Sequence, residues 1–367
     1  MPSLKELLAA LEHLAPLRLA ADWDNVGLLL GQRERLVTRV MTCLTLTPTS
    51  AAEAVSRRAD LVVSHHPLLF RGSKRLSDDS SEGRIVLELL RGNVAVYSPH
   101  TAWDNCQGGI NDQLTKVLGL SEVRPLRRRD LSPREVKLVV FTPESDVPRV
   151  SQAAFALGAG IIGEYDSCSF RVAGTGTFRG SAQSNPTVGT PGVFEQAAEY
   201  RLEMVCPEAR LPALLDAVRQ AHSYETPAID VYPLAPLPGP GEGRLGRLSN
   251  PVSLGELAHH LKTVLPAKQV GLVGDPARPV QTVALACGAA GEFLRDALHA
   301  QADVFLTGEA RFHECLEAEA QGIALLLAGH FATERPAMEE LARWLSQRFP
   351  ELEVWASQRE ADPLTWL

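Results

Sequence analysis

The sequence lacks the features that mark several large protein classes. Its 6 cysteines include no C-x-x-C pair, which argues against a disulfide framework or a zinc knuckle and fits a reducing compartment. No apolar run approaches the ~20 residues that a membrane helix needs, and the N-terminus lacks the basic and apolar segments of a secretory signal. These absences predict a cytoplasmic protein without a membrane partner.

Familiar catalytic and nucleic-acid signatures are missing as well. No serine stands in a G-x-S-x-G elbow, and no phosphate-binding P-loop occurs. The net charge of -8 argues against nucleic acid as a partner for the chain as a whole. What remains is a chain of 367 residues, 45% hydrophobic and 22% charged, which is typical of a globular protein with two or three domains.

Strand and helix patterns alternate at both ends of the chain, which is typical of α/β architecture. The first helix opens with the capping-box sequence Ser3-Leu4-Lys5-Glu6, and the last long helix is predicted over 338–349. Apolar runs predict strands over 39–46, 60–63, 94–97, 282–287, 304–306 and 323–327.

The middle of the chain carries a separate pattern. Strands and helices are predicted there in the order β-α-β, β-α-β, which indicates a ferredoxin-like domain. An arginine-rich stretch from 124 to 134 is interpreted as a solvated connector, and the Pro- and Gly-rich run 233–241 as a second break. The predicted domains are a first α/β half at 1–125, an inserted ferredoxin-like domain at 126–238 and a second α/β half at 239–367.

The two α/β halves share a local sequence pattern. Residues 59–64 resemble residues 302–307, and each segment is followed by a helical stretch and another apolar strand. Those next strands lead into His100 through Asp104 and His330 through Glu334, so each has a histidine followed by a carboxylate at the same spacing. We interpret this as a weak internal duplication that brings the strand-end motifs to one cleft.

A histidine pair, Ser64-His65-His66-Pro67, follows the apolar run of the second predicted strand. Adjacent side chains on a strand point to opposite faces, so the pair can converge only where the backbone turns. Pro67 favours such a strand end. Two neutral imidazoles in one pocket suit divalent metals, but ordinary hydrogen bonding explains the pair equally well when it is taken alone.

Further candidate ligands lie at the ends of the other strands. The complete set of predicted metal ligands is His65, His66, Asp104, His330 and Glu334. Nitrogen and oxygen donors of this kind suit zinc, iron, manganese, cobalt or nickel and do not suit calcium. The donors are too many for one tetrahedral site and enough for two divalent ions, while His100 is a candidate proton carrier or a hydrogen-bond partner that orients a ligand.

Each of these residues also has an ordinary structural explanation. Asp104 could cap a turn or helix, His330 could be a satisfied core histidine, and a carboxylate such as Glu334 is favourable near a helix N-terminus. Taken singly, these explanations are at least as probable as metal binding. The joint placement of the residues at strand ends favours a metal site.

Several motifs together resemble the proteins named for NGG-one-interacting factor three, also known as GTP cyclohydrolase I type 2 homologues. The resemblance is carried by Asp24-Asn25-Val26-Gly27-Leu28, Ser64-His65-His66-Pro67-Leu68, His100-Thr101 through Asp104, Gly108-Gly109-Ile110-Asn111-Asp112, Thr307-Gly308-Glu309 and Gly329-His330 through Glu334. The segments 174–178 and 222–228 resemble the PII/CutA-like insert of the longer bacterial members. Two departures, at 288–291 and 222–224, touch none of the proposed ligands.

The resemblance implies two divalent ions held by the same five residues. It also implies a toroidal homohexamer and a nucleotide substrate, with hydrolytic opening of the guanine imidazole ring of GTP by attack at C8. An alternative is a non-enzymatic, metal-binding scaffold or regulatory protein whose PII-like insert serves sensing or assembly. A hydrolase needs an open coordination position, whereas a structural metal site is closed.

Overall fold

Continuous apolar runs form the central strands of one sheet, as expected for parallel strands covered on both faces. The computed structural model describes residues 1–72, 74–128, 135–163, 165–235 and 241–365. Strands in this sheet follow the order β1-β4-β3-β2-β15, with β15, β2, β3 and β4 parallel and β1 antiparallel to β4. Their bounds are β1 Gly27–Leu30, β2 Arg39–Cys43, β3 Leu61–Ser64, β4 Ala95–Ser98 and β15 Glu353–Ala356. The associated helices are α1 Leu4–Leu14, α2 Pro48–Ser56, α3 Ser81–Arg91, α4 His100–Asn105 and α5 Ile110–Val117.

A second sheet has a parallel centre and antiparallel flanks. Its strands follow the order β11-β14-β13-β12-β10-β5, with β12, β13 and β14 parallel. Their bounds are β5 Ser121–Arg128, β10 Gly241–Ser253, β11 Gly271–Val273, β12 Pro279–Leu285, β13 Val304–Thr307 and β14 Ala324–Leu327. The helices of this part are α8 Leu254–Val264, α9 Leu294–His299 and α10 Phe312–Gln321, whereas α11 His330–Arg348 follows β14 and packs against β2 and β15 of the first sheet.

The two sheets repeat one plan in detail. Both α1 and α8 begin with a serine and a glutamate that form a reciprocal capping box. In the first sheet, Asp60 accepts hydrogen bonds from the backbone N–H groups of Thr38 and Arg39, at 2.8 and 3.0 Å. In the second, Asp303 accepts from Gln281 and Thr282, at 2.9 and 2.8 Å. The similarity therefore extends well beyond the short sequence match.

Residues 130–239 group into a separate compact unit, distinct from the one made by Met1–Arg129 and Pro240–Leu367. The separate unit has the predicted β-α-β-β-α-β order, with an antiparallel sheet ordered β7-β8-β6-β9. Its elements are β6 Glu135–Thr142, α6 Val147–Ala156, β7 Phe170–Arg179, β8 Phe194–Pro207, α7 Leu211–Ala221 and β9 Ile229–Pro233. Leu138, Val140 and Leu202 belong to its own buried core, to which both helices contribute. Each helix of the described chain is too short or too polar to span a bilayer.

Two expectations about local structure are wrong. The long C-terminal helix begins at His330 instead of 338, because Pro336 lies inside α11 and does not end it. Residues 121–128 are not a solvated connector but strand β5, whose Arg127 contacts Asp296 at 2.6 Å and Glu242 at 3.2 Å. Residues 129–134 of the predicted connector lie outside the described residues. So do residues 236–240 of the Pro- and Gly-rich run that was predicted as the second break.

A buried carboxylate fastens the C-terminal segment to α2. Glu53 is 1% exposed and accepts hydrogen bonds from the Ser357 hydroxyl at 2.6 Å and from the backbone N–H groups of Gln358 and Arg359, both at 3.1 Å. Burial alone would raise the pKa of Glu53, but these hydrogen bonds outweigh it and hold the pKa below its usual value.

The Glu53→Gln variant is expected to unfold about 2 kcal/mol more easily at pH 7, since charge-assisted hydrogen bonds are lost. A lowered pKa contributes stability that is present above the usual glutamate pKa and lost as the pH falls through the lowered one. The difference between variant and wild type should therefore shrink on acidification. Urea denaturation at pH 7 and at successively lower pH tests this; a difference independent of pH would contradict it.

Candidate metal centre

His65 follows directly after β3 and lies in the interior. The residue is 1% exposed, and both of its ring nitrogens are buried without a hydrogen-bond partner. The Nε2 atom lies 3.6 Å from a carboxylate oxygen of Asp104 and 3.9 Å from one of Glu334. Burial lowers the pKa of His65 well below its usual value, so the ring is neutral and retains a lone pair. Buried polar atoms are normally paired, and this exception calls for a ligand.

Helix α11 places His330 and Glu334 on one face, four positions apart. Glu334 Oε2 lies 3.0 Å from Nε2 of His330 and 3.0 Å from Nε2 of His66, and those two nitrogens are 3.3 Å apart. Burial would raise the pKa of Glu334, but the hydrogen bonds from these histidines hold it well below its usual range. Burial would lower the pKa of His330, but Glu334 and Glu309 raise it to about 9.

Helix α4 also carries a histidine and a carboxylate four positions apart, His100 and Asp104. His100 is its first residue, and Nδ1 of His100 lies 2.7 Å from the Asp24 carboxylate, whose side chain is fully buried. Asp104 accepts a hydrogen bond from the Cys287 thiol, with sulfur and oxygen 3.3 Å apart. Burial, reinforced by the charge of Glu334, raises the pKa of Asp104 to about 7.

The potential ligand atoms fall into two overlapping groups. Those of His65, His66 and His100 lie within 4.8 Å of one another, and so do those of His66, His330 and Glu334. Both groups have donors that transition metals accept. The structure thus brings four of the five predicted ligands together in these groups. Asp104 is adjacent to His65 and in neither group, while His100, which we expected to carry protons, shares a group with the histidine pair.

A glycine turn supports the carboxylate of Glu334. Gly288 has φ +66° and donates its N–H to the Thr333 hydroxyl, at 3.1 Å. Its carbonyl accepts hydrogen bonds from the Thr307 hydroxyl and the Glu309 N–H, both at 3.0 Å. A Cβ at this position would lie 2.2 Å from Glu334 Oε1 and 3.2 Å from His330 Nε2. Only glycine allows the two α11 side chains to occupy these positions.

Sequence reasoning missed the residues that orient the ring nitrogens. Asp24 holds His100, Glu309 lies 3.1 Å from Nδ1 of His330, and the Thr45 hydroxyl lies 2.7 Å from Nδ1 of His66. Such partners fix the ring orientation and leave the other nitrogen for a metal or a proton. The motifs containing Asp24 and Glu309 were visible in the sequence, but no spacing connects them to the histidines.

A cavity of about 490 Å³ opens beside the candidate ligands. Four of them, His66, Asp104, His330 and Glu334, contribute to its wall. Its volume falls within the range of small-molecule sites. Its remaining wall includes Trp23, Phe70, Glu242, Cys287, Glu292 and Phe293.

The family model for Duf34/NIF3 (NGG1p interacting factor 3) matches residues 2–363. The chain belongs to this family. A relative from Bacillus subtilis (strain 168), named GTP cyclohydrolase 1 type 2 homolog, is 33% identical to the chain over 99% of this chain and 98% of its own length. A Mycobacterium tuberculosis (strain ATCC 25618 / H37Rv) protein of the same name is 34% identical, covering 94% of this chain and 92% of that one.

Two solved structures share the fold. The Bacillus cereus protein related to NIF3 is 30% identical, with a TM-score of 0.72 over 100% of this chain and 99% of that one. Staphylococcus aureus protein SA1388 is 25% identical, with a TM-score of 0.81 over 100% and 99% of the respective chains. The resemblance inferred from the sequence motifs is therefore confirmed at the level of the family and of its mixed α/β fold.

Proposed function

We propose that this Duf34/NIF3 protein is a hydrolase that depends on two divalent metal ions and opens the guanine imidazole ring of GTP. One observation carries the proposal: His65 is buried with both ring nitrogens unpartnered, between two carboxylates and beside a second histidine. A purely structural cluster would leave that desolvated imidazole uncompensated. The guanine substrate is suggested by the name that the relatives carry.

The donor set fits such ions. We assign His65, His66, Asp104, His330 and Glu334 as ligands, a mixture of imidazoles and carboxylates that matches zinc, iron, manganese, cobalt or nickel. When bound, the ions would supply Lewis acidity and a water of lowered pKa. The hydrogen bonds of Thr45 and Glu309 hold two of these rings in place before any ion binds.

His100 is assigned as the proton carrier. Its Nδ1 is held by the buried Asp24 carboxylate, which leaves Nε2 to take up or release a proton at the cavity wall. Asp24 is itself fixed by the Thr101 hydroxyl and backbone N–H. Burial would raise the pKa of Asp24, but these contacts and His100 lower it, so the carboxylate stays charged beside the ring.

The separate unit supports an assembly role. Its edge strand β7 and its neighbour β8 expose Phe170, Val172 and Phe194, at 66%, 50% and 54%. We propose that this PII/CutA-like insert takes part in a cytoplasmic homohexamer. The same exposed strand favours the second candidate function, a metal-binding scaffold or regulatory protein without turnover.

Turnover of GTP by metal-reconstituted protein tests the proposal, followed by product mass and by the absorbance change of ring opening. We expect product only with metal, and none from the His65→Ala, Glu334→Ala double variant. His100→Gln should keep its metal content and lose about 100-fold or more of its rate, as expected for a lost acid–base group.

Glu339→Ala is the matched control, because this glutamate lies on the same helix and is 67% exposed. It should retain both metal and rate. Absence of turnover in protein with measured bound metal would overturn the GTP assignment and favour the scaffold. Failure of wild type to retain metal after dialysis would overturn the metal centre itself.

A further inference from the structure

Two large aromatic side chains stand exposed at the cavity beside the candidate metal centre. Trp23 is 62% exposed and Phe70 is 45% exposed, although both line the cavity wall. Their rings lie 5.8 Å apart between centroids at an angle of 65°, so they form two walls of a corner. Exposed aromatic area of this size has a hydration cost that a bound apolar or planar group would relieve.

Hydrogen bonds connect the backbone segments that carry the two rings. The N–H of Ala21 donates to the Thr101 hydroxyl at 2.9 Å, and Asp24 is bonded to both His100 and Thr101. The Asn25 side-chain amide donates to the Leu69 carbonyl and so ties the Trp23 segment to the Phe70 segment. Fixing these backbone segments before binding lowers the entropy cost of ordering the two rings around a ligand.

The aromatic corner lies next to His100, the proposed proton carrier. The His100 ring lies 6.1 Å from the ring of Trp23 and 6.3 Å from that of Phe70. The same His100 ring lies 5.2 Å from His65 and 5.6 Å from His66. A planar ring stacked in the corner would therefore lie beside the proton carrier, whose ring is itself next to two of the proposed metal ligands.

We infer that Trp23 and Phe70 form a stacking site for a nucleobase-type heteroaromatic ring, and that they position this ring against His100. The inference rests on the proposed function and adds the residues that bind the substrate ring. Stacking is tolerant of base identity, because every base has a π-face.

The charged residues in and around the cavity determine which end of such a ligand enters it. Carboxylates of Glu242 and Glu292, which are not among the proposed metal ligands, line the cavity and disfavour a polyanion beside them. Arg71 directly follows Phe70 in the chain and is exposed, and so is Lys74. The ring therefore enters the cavity, while an attached phosphate stays outside near these cations.

Equilibrium dialysis of the full chain with guanosine tests the inference, both as purified and after removal of metal with EDTA. Wild type should bind guanosine saturably and in the absence of metal. The Trp23→Ala, Phe70→Ala double variant should bind about 10-fold or more weakly, the range measured for loss of base stacking. Trp23→Phe keeps an aromatic face and should remain within about threefold of wild type.

Tyr165→Ala is the matched control, since Tyr165 is a 75% exposed aromatic residue of the separate unit. It should bind like wild type, and adenosine should bind with similar affinity to guanosine while ribose 5-phosphate should not compete. Equal guanosine affinity in the double variant and wild type, or no saturable binding of either nucleoside, would overturn the inference. Intact stacking without GTP turnover would overturn only the proposed reaction.

Discussion

Gly288→Ala is expected to lose about 100-fold or more in metal affinity and in turnover while the protein stays folded. The new Cβ would lie 2.2 Å from Glu334 Oε1 and displace a carboxylate that contacts both His66 and His330. A misplaced ligand removes most of a metal site, because the donors must meet the ion at fixed distances. Metal content after dialysis and the rate with GTP measure the two effects.

Gly322→Ala separates this clash from the cost of the backbone conformation. Gly322 has φ +71°, close to the +66° of Gly288, but no atom lies within 4 Å of its added Cβ. Both variants should lose about 1–2 kcal/mol of stability from the left-handed conformation. Only Gly288→Ala should lose metal. Normal metal binding by that variant would show that Glu334 is not a ligand in the position seen here.

Arg244→Met is expected to destabilise the protein by about 3–5 kcal/mol, since it breaks a buried charge pair on one side only. Arg244 is 4% exposed on β10, and its guanidinium is bonded to the Asp112 carboxylate of α5. It also donates to the carbonyls of Cys106, Gly241 and Gly243, at 2.9, 2.8 and 2.7 Å. Urea denaturation measures the change in the free energy of unfolding.

Arg247→Met on the same strand is the control. Arg247 is exposed and its guanidinium donates to the Gln281 side-chain oxygen at 3.0 Å, so loss of this contact should cost less than about 1 kcal/mol. The Arg244→Met, Asp112→Leu double variant should recover part of the stability, because it removes a carboxylate that would otherwise have lost its charge partner. A loss below about 1 kcal/mol for Arg244→Met alone would show that the pair contributes little.

The clustering of these histidines and carboxylates was predictable because the residues follow strands that could be read from apolar runs. His65 and His66 end one such run, and the spacing from His330 to Glu334 is that of one helical turn. Their orienting partners were not predictable. Asp24 and His100 meet through space, and the need for glycine at 288 arises from a carboxylate on a distant helix.

The start of α11 and strand β5 were mispredicted for local reasons. Pro336 reads as a helix boundary, although the helix tolerates it near its start. The arginines of β5 read as a solvated link, yet Arg127 is compensated by Asp296 and Glu242 from other parts of the sequence. Tertiary contacts outweighed local preference in both cases.

The internal repeat could be recognised in the sequence only where the two halves have similar residues at matching positions. At the ends of the matching strands β3 and β13, the first half has His65-His66 and the second has Gly308-Glu309. The first half thus contributes imidazoles where the second contributes a close-packed glycine and a carboxylate that orients His330. Divergence at these positions hides the repeat from sequence comparison and makes the two halves chemically unequal.

The pairing of β5 with β10 has a consequence for how such a protein can evolve. Arg128 and Gly241 face each other in the antiparallel register, one at the exit to the separate unit and one at the return from it. The residues where the chain leaves β5 and returns to β10 are therefore neighbours. A tight turn of two residues suffices to join facing strand ends of this kind. A gene encoding this fold can therefore gain, lose or exchange the separate unit at a single junction. Every strand of the second sheet would keep its partner.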